Sequence, residues 1–220
     1  MDVVIPYKKA HDDFELRYAI RSLVNVTHDR VIVAGDKPDI PGVVHVPVAR
    51  NANRYASSTA NILAACAAGV SSRFIVMHDD IFVLRPWKFR HEDRGTIDEY
   101  LRSSSAAGQY RAQTRATRDI LIAKGVERPL FFGLHTPTVY ERDKLVALIE
   151  EYAGHAYLLR TLYHNLHPQP SVRRDDVKLH RWSKPPRSQD VVSISDSVAL
   201  DRAFCRWIDE RFPEPSPYER

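Results

Sequence analysis

Short apolar runs alternate along the first third of the chain with segments whose apolar residues recur at helical spacing, and this alternation predicts an α/β domain. Asp2-Val3-Val4-Ile5-Pro6 reads as a first strand ended by proline, which has no N–H to give to a ladder. In Glu15 to Val26, Leu16, Ile20 and Leu23 share one helical face, and Val31-Ile32-Val33-Ala34 is a fully apolar strand before the turn residues Gly35-Asp36-Lys37-Pro38. Strand, helix and strand in this order imply parallel pairing, with a ligand crevice at the carboxyl ends where Pro6, Tyr7, Lys8 and Asp36 converge. Val43 to Val46 predicts a third strand. A second helix is predicted from Ser58 to Gly69, with Ile62, Leu63 and Cys66 as its stripe, Ser57 or Ser58 as its cap and Gly69 as its stop. Phe74 to Leu84 is apolar at both ends and interrupted by His78-Asp79-Asp80.

The second half is less regular. Arg90 to Gly108 is a polar excursion with only Ile97, Tyr100 and Leu101 to pack, and Arg111 to Lys124 predicts a helix ended by Gly125. Leu130 to Leu134 predicts a buried strand that ends in His135-Thr136-Pro137. Tyr140 to Tyr152 and His155 to Leu166 predict two helices, with Val177-Lys178-Leu179 as a short strand after them. Val191 to Ile194 predicts a last strand leading into Ser195-Asp196-Ser197, and Val198 to Phe212 a last helix that buries Leu200, Ala203, Phe204, Trp207 and Ile208. The tail from Phe212 to Glu219, with prolines at 213, 215 and 217, is expected to lie extended against the body.

Composition narrows the class. At 220 residues, 44% hydrophobic and 27% charged, the chain can bury a core as one domain, read here as a nucleotide-binding half over about 1–89 and an acceptor half over about 90–220 with the C-terminal helix and tail. A charge of +4 with dispersed Lys and Arg favours an anionic small ligand over nucleic acid. Met1-Asp2-Val3-Val4-Ile5-Pro6 carries no basic leader or membrane-length run, and Cys66 and Cys205 sit in helical patterns, so a cytoplasmic protein with free thiols is expected.

Asp79 and Asp80 carry the candidate chemistry. Two carboxylates flanked by apolar residues need compensation, and Mn²⁺ or Mg²⁺ with diphosphate oxygens would provide it; Asp side chains capping a turn between two hairpin strands would also explain the pair. Arg50, Asn51, Thr59 and Asn61 lie just upstream and are, with His78, candidates for the same anionic ligand, each of them equally readable as a solvated loop or cap residue. His135, at a second predicted strand end, is a ligand or a core histidine.

Glu15-Leu16-Arg17-Tyr18-Ala19-Ile20-Arg21-Ser22-Leu23, Phe74 to Phe82 with Asp79-Asp80, His135-Thr136-Pro137, and Ser195-Asp196 with Phe212-Pro213-Glu214-Pro215-Ser216-Pro217-Tyr218-Glu219 follow one another in an order that resembles the Stealth sugar-phosphate transferases. The chain is also similar to short glycosyltransferase-like proteins of actinobacterial phages, and both resemble the GT-A, Rossmann-like nucleotide-sugar fold, with a mostly parallel central sheet flanked by helices. The resemblance implies that Asp80, helped by Asp79, holds the metal on a nucleotide diphosphate, that Asp36 and the Pro6-Tyr7 turn hold the base, and that His135 completes the metal or diphosphate site. Where Stealth proteins have a Trp-Val-Asp-Gly type segment this chain has Ile5-Pro6-Tyr7-Lys8, and their Asn-Asp-Asp is reduced to Ser195-Asp196-Ser197. Those departures favour attack at the sugar carbon over attack at phosphorus.

The expected activity is thus sugar transfer from a nucleotide-sugar donor to a hydroxyl on a glycan or protein acceptor of phage or host. Sugar-1-phosphate transfer and a non-catalytic carbohydrate- or partner-binding role on the same fold are the alternatives. For an inverting transfer, acids at strand or loop ends in the second half nominate Asp196 as base, with Asp175 and Asp176 behind it.

Overall fold

The computed structural model describes residues 1–9, 12–49, 54–186 and 188–220, with the backbone alone at 54 and 55. Two compact units divide the chain, one formed by 1–89, 135–146 and 177–220, the other by 90–134 and 147–176.

The first unit contains the sheet that the opening pattern predicts. β1 (Asp2–Tyr7), β2 (Val31–Gly35), β3 (Val44–Pro47), β4 (Arg73–Val76) and β7 (Thr138–Glu141) form one sheet in the order β3-β2-β1-β4-β7. All pairings are parallel except β4 with β7, so the central sheet is mostly parallel and the fold is α/β. The central strands β1 and β2 are buried on both faces, as such sheets require. Val3, Ile5, Tyr7, Val31, Val33 and Ile75 face a core shared with α1 (Phe14–Ser22), whereas α2 (Arg54–Ala67) packs on β1 and β2. Pro6 lies inside β1, opposite Ala34, not after it. Val4 accepts from Met77 N at 3.1 Å, so Pro6 directs its missing donor to the side where β4 has already ended.

The apolar run from Phe74 to Leu84 serves two sheets. After β4 the chain crosses Met77-His78-Asp79-Asp80 and enters β5 (Ile81–Val83), which joins β10 (Val191–Ile194) and β9 (Lys178–Leu179) in the order β5-β10-β9. Behind this sheet, Phe82 meets Phe204 of α8 (Arg202–Arg211), and Trp182 and Trp207 pack beside them.

Several expected elements differ. α2 begins four residues before Ser58, so Ser57 and Ser58 lie inside it and cannot be its cap, although Gly69 does follow its end at φ +84°. The predicted helix from Val198 is two helices, α7 (Asp196–Ala199) and α8, because Asp201 interrupts it and accepts from Ala203 N at 2.8 Å; Leu200, expected in the core, is 83% exposed. Tyr140 and Glu141, read as the start of a helix, are instead the end of β7, and α5 (Arg142–Glu151) follows. The tail does not stay extended to its end but closes in a 3₁₀ turn, Pro217–Glu219.

In the second unit the polar excursion is ordered as β6 (His91–Asp93) and α3 (Ile97–Ser103), whose Thr96 and Glu99 form a capping box. It also holds α4 (Gly108–Ala123), α6 (Leu159–Leu166) and β8 (Ser171–Arg173), which pairs with β6. Leu130 to Leu134 is buried but is not a strand: only Leu130 bridges to Thr96. Backbone and side chains share the work of a ladder: Phe131 N donates to Gly95 O at 2.8 Å and Phe131 O accepts from Arg94 N at 2.9 Å, while Leu130 N donates to Asn165 Oδ1 at 2.8 Å and Phe132 N to Thr161 Oγ1 at 3.2 Å. Both cysteines are free thiols. Among the described residues no helix is long and apolar enough to cross a membrane.

The tail is fastened to α1. Glu219 receives Arg21 Nε at 2.9 Å and Nη2 at 2.8 Å, with Arg17 Nη1 at 3.2 Å, and Tyr218 O accepts from Gly42 N at 2.8 Å. Burial opposes ionisation of Glu219, but the Arg21 guanidinium and Ser216 outweigh it and hold the carboxyl at about 2, against an ordinary 4.5. A depressed carboxyl stabilises the fold above its unfolded value, and that contribution disappears as pH falls through the folded one. Glu219→Gln is therefore expected to lose about 2 kcal/mol at pH 7 in urea unfolding, with the difference from the unaltered protein vanishing as pH falls from about 4.5 to about 2.

Candidate functional site

From β1 the sheet grows through β2 and β3 to one side and through β4 to the other, so the strand order reverses between β1 and β4. An open α/β sheet has its ligand crevice at that switch point, outside the carboxyl ends of the strands. Tyr7 and Lys8 lie at the end of β1, and Asp79 and Asp80 three and four residues past the end of β4.

The β1 side is held by a hydrogen-bonded loop. Tyr7 donates its hydroxyl to buried Asp13 at 2.5 Å, and Asp13 also accepts from Asp39 N. Lys9 N donates to Asp36 Oδ2 at 2.9 Å, and Lys9 Nζ lies 2.5 Å from Asp39. The Tyr7 ring is only 4% exposed, so this residue braces the loop; Lys8 is exposed beside it. Gly35, at φ +129°, has no room for a side chain, because a Cβ would stand 2.1 Å from Tyr7 O and 2.7 Å from Asn61 Nδ2. Asn61, 8% exposed on α2, is thereby placed against the end of β2, and Thr59 is half-buried on the same helix. Arg50 and Asn51 lie outside the described residues.

The β4 side holds the carboxylates. Ile81 N donates to His78 O at 3.2 Å, closing a tight turn that contains Asp79 and Asp80, and Ile194 N donates to Asp80 O at 3.0 Å, tying the turn to β10. Asp80 Oδ2 receives Lys178 Nζ at 2.6 Å and Ser193 Oγ at 3.0 Å. Ser193 and Lys178 are register partners in the β10–β9 pair, and Ser193 is opposite Ile81 in the β10–β5 pair, so the ladder itself brings the three side chains together.

The surrounding charges separate the acids. Burial raises the Asp80 carboxyl, but Lys178, His78 and His135 outweigh it and hold the group below its ordinary value. Asp79 is pushed up to about 8 by burial and then by Asp80 and Glu15. Glu15, in the first turn of α1, is pushed up to about 7 by burial and by the charges of Asp80 and Asp196, against the pull of Lys178.

Of the expected site residues, Asp79, Asp80, His78, His135 and Asp196 thus fall within one electrostatic cluster. Asp196 is exposed at the start of α7. Asp175 and Asp176 belong to the second unit, where Asp176 pairs with Arg94 at 3.8 Å. Two members of the cluster, Glu15 and Lys178, escaped sequence reasoning. Glu15 was legible only as the start of an amphipathic helix, although a carboxylate in the turn after the first strand was a signal; Lys178 had none, since its role arises from strand pairing.

A divalent cation on a diphosphate takes one or two carboxylates, with phosphate oxygens and waters completing its shell, whereas a site built by protein alone needs several ligands that converge on one point. Among the described residues no three His, Cys, Asp or Glu side chains do so. Asp80 Oδ2 is engaged by an ammonium and a hydroxyl. That oxygen is thus closed to the Mn²⁺ or Mg²⁺ expected on Asp79, Asp80 and His135.

No protein-family model matches the chain and no curated protein matches its sequence. Solved structures are similar to it in fold. A galactosyltransferase, LgtC, in complex with donor and acceptor sugar analogues is 12% identical over 99% of this chain and 98% of that one, with a TM-score of 0.49. Glucosyl-3-phosphoglycerate synthase from Mycobacterium tuberculosis, in complex with Mn²⁺, uridine diphosphate and glucosyl-3-phosphoglycerate, is 13% identical over 98% of this chain and 81% of that one, with a TM-score of 0.40. The 2-C-methyl-D-erythritol 4-phosphate cytidylyltransferase of Thermus thermophilus is 14% identical over 79% of this chain and 87% of that one, with a TM-score of 0.39. These likenesses concern the course of the chain and assign it no chemistry.

A carboxyl raised by its surroundings destabilises the fold increasingly as pH climbs from its unfolded to its folded value, here from 3.8 to about 8. Asp79→Asn removes that charge. It is expected to raise the melting temperature at pH 8 by about 2–4 °C, for a gain on the order of 1 kcal/mol, with no difference near pH 4; equal melting at both pH values would mean that Asp79 carries no such burden.

Proposed function

We propose that this chain is a glycosyltransferase that moves a sugar from a nucleotide-diphosphate-sugar donor to a hydroxyl on a glycan or protein acceptor. The observation that carries the reading is the cluster of Glu15, Asp79, Asp80, Asp196 and Lys178 beside the switch point of the parallel sheet. Such a crevice suits a nucleotide, and the acids there differ in proton affinity, as a proton-transferring site requires. Pro6, Lys8, Asp36, Thr59 and Asn61 surround the nucleotide end in this reading, and His78 and His135 lie near enough to Asp80 to help hold its carboxyl down.

The proposed reaction balances as follows. The acceptor oxygen bonds to C1 of the sugar as the bond from C1 to the diphosphate oxygen breaks, and that electron pair leaves with the nucleoside diphosphate. The hydroxyl proton passes to a carboxylate. Glu15, half-buried and held at about 7, is better poised to accept it near neutrality than an ordinary acid, and Asp196 is the second candidate. Mn²⁺ or Mg²⁺ would stabilise the departing diphosphate as a Lewis acid in a site that held it. Here the Asp80 Oδ2 that would meet it is taken by Lys178 and Ser193.

Three measurements test the reading. A thermal-shift panel of nucleoside diphosphates and nucleotide sugars should raise the melting temperature for one base, and a panel with no shift would favour a binding module of other specificity. With a turning-over acceptor, nucleoside diphosphate as by-product supports sugar transfer, whereas nucleoside monophosphate would assign sugar-1-phosphate transfer. Glu15→Gln is expected to retain donor binding while turnover falls by about 10²–10⁴-fold, and Asp196→Asn, assayed beside it, identifies the base if Glu15→Gln keeps full turnover.

A further inference from the structure

We infer that Lys178 takes the place of a divalent cation in this site, its ammonium being the fixed positive charge that receives the donor's diphosphate. This rests on the nucleotide-sugar reading above and departs from it in one respect, that the donor binds without metal.

The carboxylate where a cation would be sought already has its cation. Asp80 Oδ2 lies 2.6 Å from Lys178 Nζ, a short, charge-assisted contact, and Ser193 Oγ takes the same oxygen at 3.0 Å. One carboxylate oxygen has two lone pairs, so both are used. Metal binding through that oxygen would have to expel the ammonium and strand it beside its own replacement.

The arrangement is built by the backbone and is not a chance meeting of surface chains. Ser193 N donates to Val177 O and Ser195 N to Leu179 O, which bracket Lys178 in the parallel pair. Ile194 N donates to Asp80 O, which fixes the carboxylate to the same strand. Lys178 is 20% exposed and Asp80 18%, so the pair is shielded from bulk water yet open to a ligand. An exposed pair of this kind is worth little, whereas a shielded one keeps much of its electrostatic strength.

The chemistry of the side chain suits the task. An ammonium carries three N–H donors, and Asp80 takes one of them. Lysine is a compact point charge that binds phosphate oxygens directly. Asp80 is then a positioning residue that orients the amine, and Ser193 orients Asp80. The simpler possibility is that Lys178–Asp80 only clamps β9 to β5; in that case losing the amine would alter stability and leave diphosphate affinity unchanged.

The deciding experiment measures equilibrium binding of uridine, guanosine, adenosine, cytidine and thymidine diphosphates to the whole chain, by calorimetry, in EDTA and in Mn²⁺. The expected result is one nucleotide bound with affinities equal within about twofold in the two buffers, and weakened about tenfold or more in Lys178→Met, with Lys178→Arg keeping most of the binding. Binding that appears only with Mn²⁺, or that Lys178→Met leaves intact, would overturn the inference and leave the transferase reading standing. No binding of any nucleotide in either buffer would remove both. If Lys178→Met fails to fold, binding that needs Mn²⁺ on the unaltered protein still overturns the inference, and Lys178→Gln takes its place as the test of the amine, intact binding in it again overturning the inference.

Discussion

Asp80 stands where the chain leaves one sheet and enters another, and its charge has to be accommodated at that passage. An isolated carboxylate withdrawn from water carries a large desolvation penalty, so the crossover is tolerable only with a partner of opposite sign. Lys178 is that partner, and its position follows from the pairing of β9 with β10. The small sheet thus does more than cover the core behind Phe82 and Phe204. Its register aligns Lys178, Ser193 and the Asp80 turn, which makes the charge pair a consequence of backbone hydrogen bonds.

Once Asp80 is satisfied, its neighbours are not. Glu15 and Asp79 share the same partly shielded space with a carboxylate that stays ionised, and both are pushed toward the protonated form. The result is a set of chemically identical groups with different proton affinities, sorted by environment alone. In the proposed reaction that sorting supplies a stable anion to hold the amine and a poised carboxylate to take a proton.

The helix α1 links this site to the stability of the first unit. Its first turn carries Glu15 toward the acidic cluster, while further along Tyr18 donates to Asp209 at 2.6 Å and Arg21 grips Glu219. The placement of Glu15 therefore depends on contacts with residues some two hundred positions away in the chain. A tail that might have been trimmed as a polar, proline-rich end is instead part of what orients the helix.

Much of the first third could be read directly. The fully apolar strands, the helical spacing of Leu16, Ile20 and Leu23, and the glycine that ends β2 are local patterns with local causes, and they led to a mostly parallel α/β sheet with acids at its carboxyl edge. Elements that depend on distant partners were not legible. Leu130 to Leu134 has the composition of a strand but divides its backbone bonds between Gly95 and Arg94 and the side chains of Asn165 and Thr161, and Thr138 to Glu141 is a strand only because β4 offers it an edge. By itself the amino-acid sequence determined the pairs of apolar faces and the presence of Asp79-Asp80 between two apolar runs, because burial acts on each residue where it stands. That Lys178 neutralises Asp80, and that Glu15 joins them, was decided only by the tertiary structure, because electrostatic partnership depends on distance in space and residues 15, 80 and 178 are brought together by strand order.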